Sequence, residues 1–377
     1  EMLRSLVGSE MCIRDSFIGY AEDSFTPSEF ELTPFIREKG NLLAVEVHKR
    51  STAAYLEDQD FFRFFGIFRS VELYAKPELH VEDLWIRPHY EEKSGNGSLQ
   101  AEVKISQEAF RKTTGQAGKA VATLRDKEGT VLFIREKSIE NKEEQTLVFT
   151  GEQMPVKAWD NENPYLYSLE VCLYDAAGKM TEAVPYDVGF RSIRIENKII
   201  RLNGKRLFIK GVNRHEWSPE GGRCITMEDM EWDIAFLKQN HINAVRTCHY
   251  PDRREWYSLC DRAGIYLMAE NNLESHGSWQ KCGAVEPSWN VPGAVPEWKE
   301  AVTDRARTNF ECYKNHASVL FWSLGNESYA EENIAAMQRF YKEKDPERPV
   351  HYEGVIHNRK WEDDISDVES RMYAYPQ

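Results

Sequence analysis

Four short polar clusters hold most of the residues able to do chemistry in this sequence. They are Asn213-Arg214-His215-Glu216, Arg246-Thr247-Cys248-His249-Tyr250-Pro251, Glu270-Asn271-Asn272-Leu273-Glu274-Ser275-His276-Gly277 and Gly325-Asn326-Glu327-Ser328. Each follows directly on an apolar stretch. In the third cluster Glu274 and His276 stand two residues apart, and in extended backbone such side chains point the same way. With Glu327 they offer two carboxylates and one imidazole. That oxygen-rich set suits a hard divalent cation such as magnesium or manganese better than a structural zinc. The plainer alternative is a Glu-His hydrogen bond in a polar loop.

Such clusters meet only if the strands before them run parallel with their ends on one face. After Glu196 the sequence alternates strand, loop and helix. Arg206–Gly211, Ile242–Arg246, Ile265–Ala269, Val319–Leu324 and Val350–Glu353 read as strands. Between them, Thr226–Asp229 has capping-box form ahead of Met230, Ile234 and Leu237, a helix over Arg253–Ala263 meets Gly264, Val302, Ala306, Phe310 and Tyr313 form a helical stripe, and Ile334–Lys344 reads as a further helix. Repeated βα units predict a (β/α)8 TIM barrel, whose active sites lie at the C-terminal ends of the strands. Five or six strands are countable, so the barrel is expected to be incomplete.

Upstream the grammar is all β. Between Pro77 and Ile195, seven strand-like segments with turns such as Ser94-Gly95-Asn96-Gly97 predict an immunoglobulin-like β-sandwich. Residues 17–76, with Asn41–Val47 and Ser70–Tyr74 as strands, are too few for a full sandwich. The expected units are therefore 17–76, 77–195 and 196–377. Residues 1–16, EMLRSLVGSEMCIRDS, lack the layout of a secretory signal, and they read as a foreign leader outside the fold.

At 377 residues, two or three domains are expected. No apolar run approaches the roughly 20 residues a membrane helix needs. A net charge of -14 opposes binding to nucleic acid or to anionic lipid. The seven cysteines form no C-x-x-C pair or dense framework and read as reduced thiols, which points to the cytoplasm.

GVNRHEWSP, NAVRTCHYP, ENNLESHG, FWSLGNES and RPVHYEG, in this order and spacing, are similar to the barrel motifs of β-galactosidases in glycoside hydrolase family 2. GYAEDS, YLEDQD and GIFRSVELYAKP resemble that family's sugar-binding jelly roll. The resemblance covers nearly all of residues 17–377. It implies a retaining glycosidase cleaving terminal β-D-galactosides such as lactose, with Glu327 as general acid/base and magnesium held by Glu274, His276 and Glu327. It further implies that His215, His249, Asn326 and Tyr373 contact the galactosyl unit or support the nucleophile. Asp60 would reach the sugar's 6-hydroxyl and a sodium ion. Arg246 is as well suited to orienting carboxylates as to touching substrate. FFRFFGIFR replaces the family's usual tryptophan-containing run with Phe61, Phe62, Phe64 and Phe65, which alters the expected aromatic shape of the pocket. The family's nucleophile lies in a Glu-Tyr-Ala-His-like motif beyond Tyr373, and no such motif occurs here. The chain is therefore expected to be an inactive part of a larger enzyme, and family members commonly form homo-oligomers. A β-glucuronidase or β-mannosidase of the same family, or a non-catalytic carbohydrate-binding protein, are the competing readings.

Overall fold

The computed structural model of the chain describes residues 9–13, 16–60, 62, 64, 66–107, 116–276 and 290–373. Phe61, Phe65, Gly277, Cys282 and residues 1–8 of the expected leader lie outside them.

The chain begins with a three-stranded antiparallel sheet in which β1 (Ser9–Ile13) lies between β2 (Ser16–Ala21) and β3 (Leu43–Val47). Ser9 pairs with Ala21 on one side and Val47 on the other. This corrects the reading of residues 1–16 as outside the fold, because residues 9–13 supply the central strand. The loop after β3 carries a 3-10 turn at Thr52–Tyr55 and then Leu56–Asp60.

The second unit has the seven strands expected. β4 (Leu79–Glu91), β5 (Asn96–Gln107) and β8 (Glu144–Pro155) form one sheet. β6 (Gln116–Arg125), β7 (Val131–Glu140), β9 (Tyr167–Asp175) and β10 (Met180–Val188) form the other in the order β10-β9-β6-β7. Strict alternation drives the packing: Ala101, Val103 and Ile105, Ala120, Ala122 and Leu124, and Leu169, Val171 and Leu173 all face one core. A one-residue slip in any strand would turn its whole set outward.

Next comes a small antiparallel sheet of β11 (Ile193–Glu196), β12 (Ile199–Leu202) and β13 (Lys205–Arg206). Here the structure departs from the sequence reading: Arg206–Gly211 is not the first barrel strand. Asn203 and Gly204 both adopt positive φ, 49° and 78°, and this two-residue turn folds β13 back onto β12.

The parallel sheet begins instead at β14 (Gly211–Arg214). It continues in sequence order through β15 (Ala244–Thr247), β16 (Tyr266–Glu270), β17 (Val319–Ser323) and β18 (Val350–His351). The connecting helices are α1 (Met227–Gln239), α2 (Arg254–Ala263), α3 (Lys299–Tyr313) and α4 (Glu332–Lys344). The capping box at α1 forms, with Thr226 and Asp229 bonding each other's backbone N–H. Gly264 ends α2 in the left-handed conformation at φ 72°, where a Cβ would meet the Asn161 backbone at 2.8 Å. Every residue of β17 is buried, as expected of a strand covered on both faces. Val302, Ala306, Phe310 and Tyr313 turn α3 toward the same core. Among the described residues no helix is long and apolar enough to cross a membrane.

Arg191 bonds the Ala317 and Val319 carbonyls at 2.6 and 2.7 Å and joins the sandwich to the parallel sheet. The first unit is joined to it by Arg69, 2.7 Å from Glu216.

Candidate active site

The C-terminal ends of β14 to β17 deliver the four polar clusters to one face, and β18 adds Glu353. Because the strands are parallel and in register, Asn213 lies beside Arg246 and Glu270 beside Ser323.

Glu270 is the buried hub. Arg246 Nε donates to its Oε2, as does Ser323 Oγ at 2.6 Å, and Oε1 is 2.6 Å from His249 Nδ1. Burial alone would raise this carboxyl, but Arg246 and His249 hold it at about 2. Arg246 also donates to Asn326 Oδ1 at 3.1 Å, and the Asn326 amide donates to Glu274 Oε2 at 3.1 Å. Arg246 thus orients carboxylates directly and through an amide.

His276 stands where three carboxylates converge. Its Nδ1 is 3.1 Å from Glu327 Oε2, 3.6 Å from Asp60 Oδ1 and 3.7 Å from Glu274 Oε1. Glu274 is fully buried, and its Oε1 has no hydrogen-bond partner among the described residues. Burial, against the Asn326 hydrogen bond and with the charges of Asp60 and Glu327 nearby, pushes this carboxyl up to about 9. A buried oxygen without a donor, among like charges, is what a cation relieves. Asp60, Glu274 and His276 place ligand atoms within 4.8 Å of one another, so the residues present fit a metal ion.

Backbone pairing holds this group together. Glu274 N donates to Leu56 O at 2.8 Å, and Asp58 N donates back to Glu274 O at 3.0 Å. On the other side Asn326 N donates to Leu273 O at 2.8 Å. A short three-segment ladder results, Glu57 to Glu274 to Asn326. Asp60 therefore reaches this group from the first unit.

Glu327 has φ 24°, off the ordinary helical and extended wells, and follows Gly325 at φ 138°. Its N–H donates to Glu353 Oε1 at 2.8 Å. Burial raises Glu353 to about 7 against that hydrogen bond. His215 bonds the Tyr250 hydroxyl through Nδ1 at 3.2 Å, and burial followed by the charge of His249 pulls its pKa down to about 4, leaving it neutral.

The structure thus brings together Asp60, His215, His249, Glu274, His276, Asn326 and Glu327. It does not bring Tyr373 with them: this side chain is 89% exposed, at positive φ, with no hydrogen bond to another described residue. It sits in the turn at residues 372–373, and its exposure there does not show the sugar contact expected of it. Phe62, Phe64 and Trp217 form an exposed ring cluster with centroids 5.9 to 6.2 Å apart.

Sequence reasoning missed Arg305. On α3 it donates to Glu57 Oε1 at 3.0 Å and Asn272 O at 2.8 Å, while the Asn272 amide donates to Asp23 and Glu57. A signal was present, since Arg305 follows Val302 by three and so sits on the buried stripe of α3.

Residues 8–77 match the model of the glycosyl hydrolases family 2 sugar binding domain, residues 79–191 that of glycosyl hydrolases family 2, and residues 193–377 that of its TIM barrel domain. The chain is 55% identical over 364 residues to the beta-galactosidase large subunit of Latilactobacillus sakei, covering 97% of this chain and 56% of that protein. It is 51% identical to a beta-galactosidase of Clostridium acetobutylicum, over 96% of this chain and 39% of the other. The chain thus spans about half the length, or less, of these curated relatives. Among solved structures, a Bacteroides uniformis beta-glucuronidase superposes with a TM-score of 0.80 at 21% identity, covering 97% of this chain and 46% of that one, a likeness of fold. Three models of one family follow one another along the sequence just as the three-stranded sheet, the sandwich and the parallel βα unit do, and the chain belongs to glycoside hydrolase family 2.

Proposed function

We propose that this chain carries the acid/base side of a retaining β-galactosidase active site, built on a sugar-binding jelly roll, an immunoglobulin-like sandwich and part of a (β/α)8 barrel. The observation that carries the reading is the convergence of Glu327, Glu274 and Asp60 on His276 at the strand ends.

Glu327 protonates the glycosidic oxygen as the bond breaks and then takes a proton from the incoming water. Asn326, His215, His249 and Asp60 bind and orient the galactosyl unit, and Asp60 would take a sodium ion with the sugar's 6-hydroxyl. Glu274, His276 and Glu327 hold magnesium, which supplies positive charge beside the acid/base. Neutral His215 accepts or donates without adding charge. Glu353 Oε1 accepts the Glu327 N–H and holds the backbone of the acid/base in place. The nucleophile's role is assigned to no described residue.

Retention needs a second carboxyl about 5 to 5.5 Å from the acid/base. The converging carboxylates favour a neutral sugar over a glucuronide, whose own carboxylate they would repel. The 55% identity to a beta-galactosidase large subunit points the same way. The test is hydrolysis of nitrophenyl β-D-galactoside against the β-D-glucuronide by the complete gene product. Preference for the glucuronide would overturn the assignment.

A further inference from the structure

A second group of potential ligands lies beside Glu270, which engages one of its members. His215, Cys248 and His249 each offer a ligand atom, and these atoms lie within 4.8 Å of one another. Cys248 and His249 are buried, 2% and 7% exposed, while half-buried His215 borders solvent. Both imidazoles are already oriented through Nδ1. His249 Nδ1 lies 2.6 Å from Glu270 Oε1, and His215 Nδ1 lies 3.2 Å from the Tyr250 hydroxyl. A histidine whose Nδ1 is engaged by a carboxylate or another polar partner is set to coordinate through Nε2, the arrangement that supports metal-bound histidines generally.

We propose that His215, Cys248 and His249 form a soft transition-metal site, selective for zinc-like ions and distinct from the oxygen-rich group around His276. One thiolate and two imidazoles match zinc or cobalt and not magnesium. Zinc binds sulfur at about 2.3 Å and nitrogen at about 2.0 to 2.1 Å, so its tetrahedral ligands stand about 3.4 to 3.6 Å apart. The three ligand atoms, within 4.8 Å of one another, therefore have to close by no more than about 1.4 Å. The Cys248 thiol gives its proton to solvent as the sulfur–metal bond forms, and the fourth position is left to water. Glu270 orients His249 and offsets the cation's charge.

The consequence for activity rests on the function proposed above: if His215 and His249 bind the galactosyl unit, an ion on them competes with sugar. Zinc would then inhibit where magnesium activates, each from its own ligands.

The purified chain, reduced and metal-free, is titrated with cobalt(II) in excess magnesium. One equivalent should give a thiolate-to-cobalt charge-transfer band and tetrahedral d–d absorption, both erased by zinc. Cys248→Ser should abolish the charge-transfer band with the circular dichroism spectrum unchanged, and His276→Ala should retain it. Glu270→Gln, which leaves all three ligands in place, should weaken binding about 10- to 100-fold. Absence of a thiolate band, or a band that survives Cys248→Ser, overturns the site. Galactose binding measured with and without zinc tests the overlap separately. If cobalt binds as described but zinc leaves galactose affinity unchanged, the metal site stands and the placement of sugar on His215 and His249 fails.

Discussion

Arg305, on α3 of the parallel unit, donates to the Glu57 carboxylate of the first unit at 3.0 Å, across 248 residues of sequence. Arg305 is 4% exposed, Glu57 12% and Asp23, 3.9 Å away, 10%. Such a pair is costly to break one member at a time, because the charge left behind remains buried. Arg305→Met is therefore expected to cost about 3 to 5 kcal/mol in urea unfolding and to open the loop carrying Asp60 to proteolysis. Glu57→Gln should cost less, and the double substitution less than the two combined, as a double-mutant cycle would register.

In the complete gene product, Glu327→Gln should slow alkyl galactosides by about 100- to 10,000-fold while sparing galactosides with activated aryl leaving groups. An amide cannot donate the proton that a poor leaving group needs. Equal losses on both substrate types would remove Glu327 from the acid role.

Gly325 immediately precedes Asn326, and at φ 138° a Cβ there would lie 2.7 Å from Leu273 O and 2.8 Å from Leu273 Cβ. Gly325→Ala should push apart the segments joined by the Asn326 N–H to Leu273 O bond. If magnesium binds as proposed, it stabilises the folded state by an amount that grows with its affinity for the gathered ligands. The rise in melting temperature given by magnesium should therefore be lost in this variant, with circular dichroism unchanged. A wild-type rise in the variant would mean the segments are held by other contacts.

His351 is buried between Ser323 and Ser370, 3.0 and 2.8 Å from its ring nitrogens. Burial, then the charge of Arg246, lowers its pKa to about 4 from an unfolded value of 6.5. The unfolded chain therefore takes up a proton first on acidification. Stability from this group is intact above 6.5 and is lost as pH falls toward 4, by about 3 kcal/mol in all. Urea midpoints should fall over that window, and His351→Gln should flatten the fall. An identical slope in the variant would place the acid sensitivity elsewhere.

The sequence was most legible where one short-range pattern decides the structure. Alternation in β4 to β10 and the α3 stripe needed no knowledge of partners. The polar clusters were visible because a parallel strand presents its loop at a known end. What failed depended on a turn or on a distant partner. The Asn203-Gly204 turn, a strong hairpin signal, outweighed the apolar run that followed it. Ser9–Ile13 gains its central place by pairing with β2 beside it and with β3, thirty or more residues on. Arg305 looked like one more helical arginine until Glu57 was beside it. Cys248 had no role until the fold brought His215 to it.

The ladder from Glu57 through Glu274 to Asn326 bears on how such chains can be recombined. A sugar-binding unit joined by a linker could be exchanged among relatives with its function intact. Here the Leu273-Glu274 segment bonds the first unit on one side and Asn326, next to the proposed acid/base Glu327, on the other, so inheritance of the two is tied. A chimera with a foreign first unit should fail in the chemical step even if both partners fold, and repair should come from substitutions along residues 56–60, not from the barrel.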